Sequence, residues 1–263
     1  MRLTDLLLWA FTVAFFTFMI LPIVVVVVIS FTEAGYAAFP IPGWSLKWFA
    51  RIFEYEPFMD SLRVSLLLAV TATVASCLLG IPAALYLSRA RSGWATAITT
   101  FLLSPLSMPM IVIGFASLFF LSWLGFGLAF TALCIVHTLI CLPYVIRTVT
   151  AVYRSVPPAY EEAALILGAS RVTTFREVTL PLIRPGIAAG CLFSFLTSFD
   201  NLPVSYFFGS AQTNTLPVVM LAYMEHQFDP SIAALSTLQL GMAVIALLVA
   251  DRLYGIEKMT VAT

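Results

Sequence analysis

The amino-acid sequence predicts an all-α integral membrane protein with six transmembrane helices. The mean hydropathy of the 263-residue chain is +1.02, and 61% of its residues are hydrophobic whereas 10% are charged. A soluble domain carries about 25% charged residues, so this chain has too few charges to cover a surface that faces water. The composition therefore places most of the chain against lipid or against other membrane helices.

Six continuous apolar stretches are each long enough to cross a membrane. A hydrocarbon core of about 30 Å requires roughly 20 helical residues. The first stretch is too long for the core of a signal peptide and no small-residue cleavage site follows it, so we expect it to be retained. The predicted spans are residues 7–31, 62–87, 97–122, 126–150, 185–208 and 233–254.

Charge placement predicts that the N- and C-termini are both cytoplasmic. Cytoplasmic loops of membrane proteins carry an excess of Lys and Arg. Six spans with an inside N-terminus leave only Lys47, Arg51 and Arg63 of the thirteen basic residues outside. A further apolar segment, residues 215–228, is 14 residues long, which suits a re-entrant or interfacial segment better than a span. The basic residues predicted inside are Arg2, Arg89, Arg91, Arg147, Arg154, Arg171, Arg176, Arg184, Arg252 and Lys258.

The sequence is expected to form one membrane domain with a separate first helix, because it contains neither a low-complexity linker nor an internal repeat. Residues 1–61 hold the first transmembrane helix and an external loop. Residues 62–255 form a five-helix core, which includes a cytoplasmic loop at residues 153–184. Residues 256–263 are a cytoplasmic tail.

The cytoplasmic loop 153–184 predicts a first short helix that ends in a glycine turn. Pro157 and Pro158 favour a helix start, where a missing N–H costs no hydrogen bond. Glu161 and Glu162 then lie in the first turn, where negative charge complements the helix dipole. Gly168 is able to adopt a positive φ and to end this helix.

A second short helix is expected to follow the glycine turn. Ser170 is suited to cap its N-terminus, and Pro181 is expected to stop it. The two helices would place small and apolar residues on one side, with Arg171 and Arg176 exposed. By pattern alone, an amphipathic hairpin lying on the membrane surface is an alternative interpretation.

The same loop contains a spaced motif that resembles the signature of a known family. The motif reads Glu162-Ala163-Ala164, three residues, Gly168, nine residues, then Val178-Thr179-Leu180-Pro181. It resembles the Glu-Ala-Ala-x3-Gly-x9-Ile-x-Leu-Pro signature of the membrane subunit of type I ATP-binding-cassette (ABC) importers, and only Val178 departs from it. In that family the loop docks into a groove on the ATPase subunit. The resemblance implies a coupling role for Glu162, Ala163, Ala164, Gly168, Leu180 and Pro181.

The resemblance implies the type I ABC importer permease fold, a bacterial inner (plasma) membrane location and several partners. These partners are a second homologous permease subunit, an ABC ATPase homodimer and a periplasmic substrate-binding protein. The chain itself lacks a P-loop, which needs Gly-Lys before Ser or Thr, because its two lysines, Lys47 and Lys258, follow Leu46 and Glu257. We therefore expect a transport subunit without an ATPase site or a bound cofactor, with ATP and Mg²⁺ held by the ATPase subunits.

The cysteines predict neither a disulfide framework nor a metal site. All four lie inside apolar runs, and no two of them form a Cys-x-x-Cys pair. We expect them to act as small residues that pack between helices. They are Cys77, Cys134, Cys141 and Cys191.

Asp200 is the clearest candidate for the substrate path, because ionisable residues inside spans are costly and usually functional. Pro203 should break the helix beside it, and Ser198 and Asn201 flank it with hydrogen-bonding groups. Trp48, in the external loop, offers a ring face to an alkyl or cationic solute. The alternatives are a structural Asp200 bonded to a neighbouring helix and an interfacial anchoring role for Trp48.

The resemblance extends over roughly residues 60–255. Within this range the sequence is similar to the spermidine/putrescine permeases, in particular to their C-type second membrane subunit. It rests on Ser198-Phe199-Asp200-Asn201, Thr215-Leu216-Pro217 and the segment 230–237. That branch usually has a second acid where Asn201 stands, and often an acid where Met110 stands. The solute class therefore widens from polyamines to opines, aminophosphonates and amino-acid-like amines.

Two other function classes are consistent with a multi-pass membrane protein. An ion-gradient-driven secondary transporter would use Asp200 as its ion or proton site. The absence of a sequence repeat argues against it, and so does the lack of further acids away from the ends of the spans. An integral-membrane enzyme would need a catalytic group of side chains, and none stands out in the sequence.

Overall fold

The computed structural model describes residues 3–90, 92–210 and 212–254. Within these ranges the regular structure is helical, apart from one isolated antiparallel bridge between Thr32 and Trp44. The prediction of an all-α protein is therefore confirmed. Three of the basic residues used to predict the topology, Arg2, Arg91 and Lys258, lie outside the described residues, and so does the predicted tail 256–263.

The predicted spans have helical counterparts. Five single helices are long and apolar enough to cross a membrane, and a sharply bent helix pair makes a sixth span if it is counted as one. The longer helices are α1 (Leu3–Ser30), α3 (Glu56–Arg89), α4 (Gly93–Leu103), α5 (Met110–Trp123), α6 (Phe130–Ser155), α9 (Leu180–Phe199) and α12 (Ser231–Tyr254). The shorter ones are α2 (Lys47–Glu54), α7 (Ala159–Ile166), α8 (Arg171–Thr174), α10 (Leu202–Ser205) and α11 (Leu216–His226). The 11-residue α11 fits the expectation of a segment too short to span.

The third predicted span is the bent pair, in which α4 and α5 meet at an angle of 108°. A 3₁₀ turn at Ser104–Ser107 follows α4, and Met108 is extended at φ −94° and ψ 142°. This conformation is favoured because Pro109 disfavours the helical region for the residue before it. The Ser104 hydroxyl donates to the Phe101 carbonyl at 2.7 Å, which satisfies one carbonyl near the bend.

The predicted stop of the second loop helix at Pro181 is wrong. The helix runs without interruption from Arg171 to Phe199, through α8, a π turn at Phe175–Thr179 and α9. In the π turn the Leu180 N–H donates to the Phe175 carbonyl, five residues back. Pro181 follows this wide turn and lies in the first turn of α9. The helix therefore accommodates Pro181 at the point where its hydrogen bonding changes from π to α.

The fifth span ends at a helix break, as the sequence predicted from Pro203. The end of α9 is capped by Asp200, at φ −102° and ψ 19°, and Asn201 is extended before α10 begins. Pro203 lies in the first turn of α10, where a missing N–H costs little. A 3₁₀ turn at Tyr206–Phe208 completes the segment.

The contacts divide the chain into two units, of which the first comprises Met1–Asp60 and Met220–Val244. Residues 4–24 of α1 are all exposed, as expected of a lipid-facing helix. In the loop that follows, the Trp48 indole N–H donates to the Thr32 carbonyl at 2.9 Å. Tyr55, Phe58 and Tyr223 form an aromatic cluster with ring centroids 4.8–5.3 Å apart.

The second unit comprises Ser61–Val219 and Ile245–Thr263, and its core lies around α6. Close packing of α6 against α9 depends on two glycines one helical turn apart. A Cβ atom on Gly186 would lie 2.9 Å from the Thr148 carbonyl oxygen, and one on Gly190 would lie 2.7 Å from the Thr148 hydroxyl. Small residues at this spacing allow membrane helices to approach each other closely. The sequence prediction did not use this Gly-x-x-x-Gly pair.

Candidate coupling surface and substrate path

The turn after α7 fits the expectation for the Gly168 motif position. Gly168 has φ +87°, and a Cβ atom added there would meet nothing within 4 Å. Its N–H donates to the Leu165 carbonyl, and the Ala169 N–H donates to the Ala164 carbonyl, both at 3.0 Å. This pair of bonds is the Schellman arrangement that ends a helix. Backbone conformation, and not lack of space, is therefore what favours glycine at residue 168.

The outer side of α7 and its turn exposes large apolar side chains, which we call the coupling surface. Ile166 is 86% exposed and Leu167 is 87% exposed, with Leu165 also exposed beside them. Two motif residues, Glu162 and Ala163, are exposed as well, whereas Ala164 is half-buried. This combination of small, acidic and large apolar residues is suited to binding a protein partner, because covering exposed apolar side chains lowers the free energy.

Glu161, which the motif does not include, ties α7 to the membrane helices. Its carboxylate accepts hydrogen bonds from the Tyr153 hydroxyl at 3.0 and 3.1 Å and from the Thr179 hydroxyl at 2.6 Å. A guanidinium nitrogen of Arg89 lies 3.9 Å from the same carboxylate and donates to the Val156 carbonyl at 3.1 Å. These residues come from α3, α6, the α6–α7 connection and the π turn. The half-buried carboxylate of Glu161 therefore joins α7 to α3, α6 and the π turn, and Arg89 also binds the α6–α7 connection.

The second part of the motif lies where the loop joins α9. Ser170 caps α8, because its side chain accepts from the Thr173 N–H at 3.1 Å as predicted. Leu180 and Pro181 are half-buried at the start of α9, directly after Thr179. The first part of the motif thus lies on α7 and its turn, and the last part lies at the π turn and the start of α9. A hydrogen bond between Glu161 of α7 and Thr179 of the π turn joins these two parts of the loop.

The candidate path residues lie at the helix break but have different surroundings. Asp200 is exposed, and no residue in the described part of the chain donates a hydrogen bond to its carboxylate. Asn201 is 6% exposed and its side-chain oxygen accepts from the Val204 N–H at 3.0 Å, which caps α10. Ser198 is 2% exposed, and its hydroxyl lies 2.8 Å from Nδ1 of His137. Among these three residues, Asp200 has the side chain that is free to meet a solute.

Trp48 belongs to the other unit and is 8% exposed. The Lys47 ammonium group lies 4.9 Å from the centroid of its ring. A cation from the chain itself therefore already contacts the ring face that was expected to meet a cationic solute.

An apolar groove of about 740 Å³ runs along α9 in the second unit, between α3 and α12. Its walls include Val74, Leu192 and Val249, and Arg184 is the charged residue of the lining. The candidate path residues do not line it. Within the described ranges no three His, Cys, Asp or Glu side chains cluster as metal ligands would.

Comparison with known proteins gives a consistent assignment. The family described as "Binding-protein-dependent transport system inner membrane component" matches residues 76–256. The chain is 30% identical to the putrescine transport system permease protein PotI of Escherichia coli (strain K12), over 86% of this chain and 83% of that protein. It is 28% identical to the spermidine/putrescine transport system permease protein PotC of the same strain, over 96% and 95%.

A solved structure shares the fold. It is the crystal structure of a bacterial ABC transporter involved in the import of the acidic polysaccharide alginate. The match has a TM-score of 0.73 with 17% sequence identity, and it covers 95% of this chain and 96% of that chain. At this identity the similarity establishes the architecture.

Proposed function

This chain belongs to the family of inner membrane components of binding-protein-dependent transport systems, and we propose that it moves a small amine-containing solute into the cell by alternating access. It is a multi-pass protein of the bacterial inner membrane and a permease subunit of an ABC importer. The class of solute, the coupling residues and the partner subunits are the parts that we propose.

The observation that carries the proposal is the coupling surface. Ile166 and Leu167 are almost fully exposed on a loop that the positive-inside rule predicts to be cytoplasmic. Fully burying one such side chain contributes about 1.5–3 kcal/mol, so a partner protein that covers both would bind with a substantial hydrophobic contribution. We propose that this partner is the ATPase subunit, that Glu162 makes a polar contact with it, and that Ala163 and Ala164 allow it to approach closely.

The helix that follows the loop is suited to transmit movement of the ATPase. The helical run Arg171–Phe199 has 29 residues, which corresponds to about 43 Å at 1.5 Å per residue. At its loop end Thr179 bonds to Glu161 of α7, and at its other end the chain breaks at Asp200. We propose that closure of the ATPase shifts α7 and the start of α9, including Leu180 and Pro181, and that this continuous helix carries the shift to the path.

The proposed solute carries a positive charge, and Asp200 is its counter-ion. The Asp200 carboxylate is exposed at a helix break, a site where irregular backbone and a charge occur together in transporters. The relatives named for putrescine and spermidine support a cationic solute. Because Asn201 and Met110 replace acids of that branch, a solute with one ammonium group, such as an opine, an aminophosphonate or an amino acid, fits this chain as well as a polyamine does.

The proposed complex contains a second homologous permease subunit, an ABC ATPase homodimer and a periplasmic substrate-binding protein. ATP and Mg²⁺ would be bound by the ATPase subunits, and this chain would bind no cofactor of its own. Ser198 and Asn201 would shape the surroundings of the path next to Asp200, since their polar groups bond within the same unit.

Uptake by the reconstituted complex separates this proposal from an ion-gradient-driven transporter. Proteoliposomes would contain ATP on the ATPase side, binding protein and radiolabelled solute on the other side, and ionophores that abolish gradients. We expect uptake to require ATP and to persist with the ionophores. Uptake that proceeds without ATP and stops with the ionophores would support the secondary transporter with Asp200 as its ion site.

A further inference from the structure

A single buried histidine bridges the helix break beside Asp200. His137 lies on α6 and is fully buried. Its Nδ1 atom lies 2.8 Å from the hydroxyl of Ser198, in the last turn of α9, and its Nε2 atom lies 3.2 Å from the hydroxyl of Ser205, at the end of α10. The break at Asp200 falls between these two serines. One imidazole ring therefore contacts both sides of it.

The chemistry of the two contacts suits a neutral, fixed ring. A neutral imidazole has one donor and one acceptor nitrogen, and a serine hydroxyl takes either role. In either tautomer both ring nitrogens therefore have a partner, because one serine hydroxyl donates to the ring and the other accepts from it. Breaking one contact would leave a buried polar group unpaired, which costs much more than the bond contributes to stability. The ring is consequently a stiff link between the two helical segments.

The segment after the break is also held on its other sides. A Cβ atom on Gly114 of α5 would lie 3.0 Å from the Val204 Cα atom and 3.1 Å from the Pro203 carbonyl oxygen, so α5 contacts α10 backbone to backbone. The Asn201 side chain caps α10 from within. Because the Gly114 contact holds α10 against α5, the His137 bridge sets where the end of α9 lies relative to α10.

We infer that His137 is a positioning residue, which fixes the Asp200 turn by holding Ser198 and Ser205 on either side of it. The inference rests on the proposed function, in which the Asp200 carboxylate contacts the solute. His137 itself is fully buried and does not meet the solute. It acts through the geometry of the break, and its effect on transport requires the Asp200 carboxylate.

The first test measures the Asp200 turn directly. Asp200→Cys would be introduced into the assembled complex in nanodiscs, and its labelling rate with a charged methanethiosulfonate reagent would be compared with that of the complex with only native cysteines. Adding His137→Leu or Ser205→Ala should change the labelling rate by about threefold or more, the factor expected for loss of a buried hydrogen bond. Ser205→Ala leaves the imidazole in place, so it remains informative if His137→Leu prevents assembly.

Ser194→Ala is the matched control. Ser194 is fully buried on α9, and its hydroxyl donates to the Cys141 carbonyl of α6 at 3.2 Å, so it links the same two helices away from the break. It should leave the labelling rate unchanged. An unchanged rate in the His137 and Ser205 variants, or an equal change in the Ser194 variant, would overturn the inference.

The second test measures transport and separates the inference from the proposed function. His137→Leu should raise the KM for solute uptake by about threefold or more with a smaller effect on kcat, and it should have no further effect in an Asp200→Asn background. Equal effects of His137→Leu in both backgrounds would show that the residue does not act through Asp200. If Asp200→Asn alone leaves uptake unchanged, the proposed path is wrong, while the labelling experiment still decides whether His137 fixes the turn.

Discussion

Two adjacent glutamates in the loop 153–184 face different surroundings and are expected to have different roles. Glu162 is exposed, as a residue that contacts a partner should be. Glu161 is half-buried and accepts hydrogen bonds from Tyr153 and Thr179. The sequence placed both in the first turn of a helix, where either would complement the dipole. Only the packing of α7 against α6 and the π turn distinguishes them.

Replacing Glu161 should loosen α7 while leaving the coupling surface chemically intact. Glu161→Ala removes the acceptor of the Tyr153 and Thr179 hydroxyls, and hydrogen bonds to charged groups contribute about 1.5–3 kcal/mol. Trypsin should therefore cleave after Arg171 about tenfold faster or more, because local opening becomes more frequent. Glu162→Ala, one residue along, serves as the control and should leave the cleavage rate unchanged. Equal cleavage of the two variants would contradict the role assigned to Glu161.

Gly168→Ala should weaken the end of α7 through backbone strain alone. A residue with a Cβ atom at φ +87° is disfavoured by about 1–2 kcal/mol, and no neighbouring atom is within 4 Å to add a clash. Hydrogen exchange of the α7 amides should be about tenfold faster in Gly168→Ala, and less so in Gly168→Asn, since Asn tolerates this region better. Gly93→Ala, at a position with no neighbour within 4 Å and no positive φ, is the control. Equal exchange in Gly168→Ala and wild type would contradict the strain.

Asp200→Asn should reduce transport of a cationic solute while the complex still assembles. The substitution removes the charge and preserves the size of the side chain, so the KM should rise by about tenfold or more. Asn201→Asp tests the opposite direction, because Asp also caps helices well and would restore the second acid. It should favour solutes with two positive charges over those with one. Unchanged uptake kinetics in Asp200→Asn would return Asp200 to a structural role.

Among the helices, the continuous run from α8 to α9 connects the loop 153–184 directly to the fifth span. The sequence predicted an independent helix pair that ends at Pro181, and the structure joins the second helix to the fifth span through a π turn. A movement applied to the coupling loop therefore has a direct helical connection to the break at Asp200. The tight packing of α9 on α6, through Gly186 and Gly190, guides that helix along its length.

Adding a methyl group to the α6–α9 contact should destabilise the membrane core. The Cβ atom in Gly190→Ala would lie 2.7 Å from the Thr148 hydroxyl and 3.1 Å from the Val145 Cα atom. Overpacking of this kind costs typically about 1–3 kcal/mol, so the melting temperature of the complex in nanodiscs should fall by several degrees. Gly241→Ala on α12 is the control, because nothing lies within 4 Å of its added Cβ. It should leave the melting temperature unchanged or raise it, since Ala is the better helix former. A Gly190→Ala complex as stable as wild type would contradict the tight α6–α9 contact.

The features that the sequence predicted correctly depend on local chemistry. The α7 turn follows from the ability of Gly168 to adopt positive φ, and the break at Asp200 follows from Pro203. The six apolar stretches also follow from the continuous runs of hydrophobic residues along the sequence. The features that it missed depend on distant packing. The role of Glu161 requires Tyr153 and Arg89, and Arg89 is 72 positions away in the sequence (161 − 89).

At the scale of the whole molecule, the chain is one part of a transport machine. Residues 4–24 of α1 are exposed, and the coupling surface leaves Ile166 and Leu167 uncovered. In the proposed function, lipid surrounds the spans and an energy-supplying protein contacts the loop. The chain's own residues contain no P-loop. We therefore propose that solute import is coupled, through α7, to ATP hydrolysis on a partner.

The measurement that tests this claim most directly is solute-stimulated ATP hydrolysis by the assembled complex in nanodiscs with its binding protein. The solutes would be polyamines, opines, aminophosphonates and small amino acids. We expect one class to stimulate hydrolysis, and Glu162→Lys to abolish the stimulation without loss of assembly. Glu225→Lys, an exposed acid on α11, should retain it. ATP hydrolysis that no solute stimulates, or full stimulation in Glu162→Lys, would contradict the proposed coupling of import to ATP hydrolysis through α7.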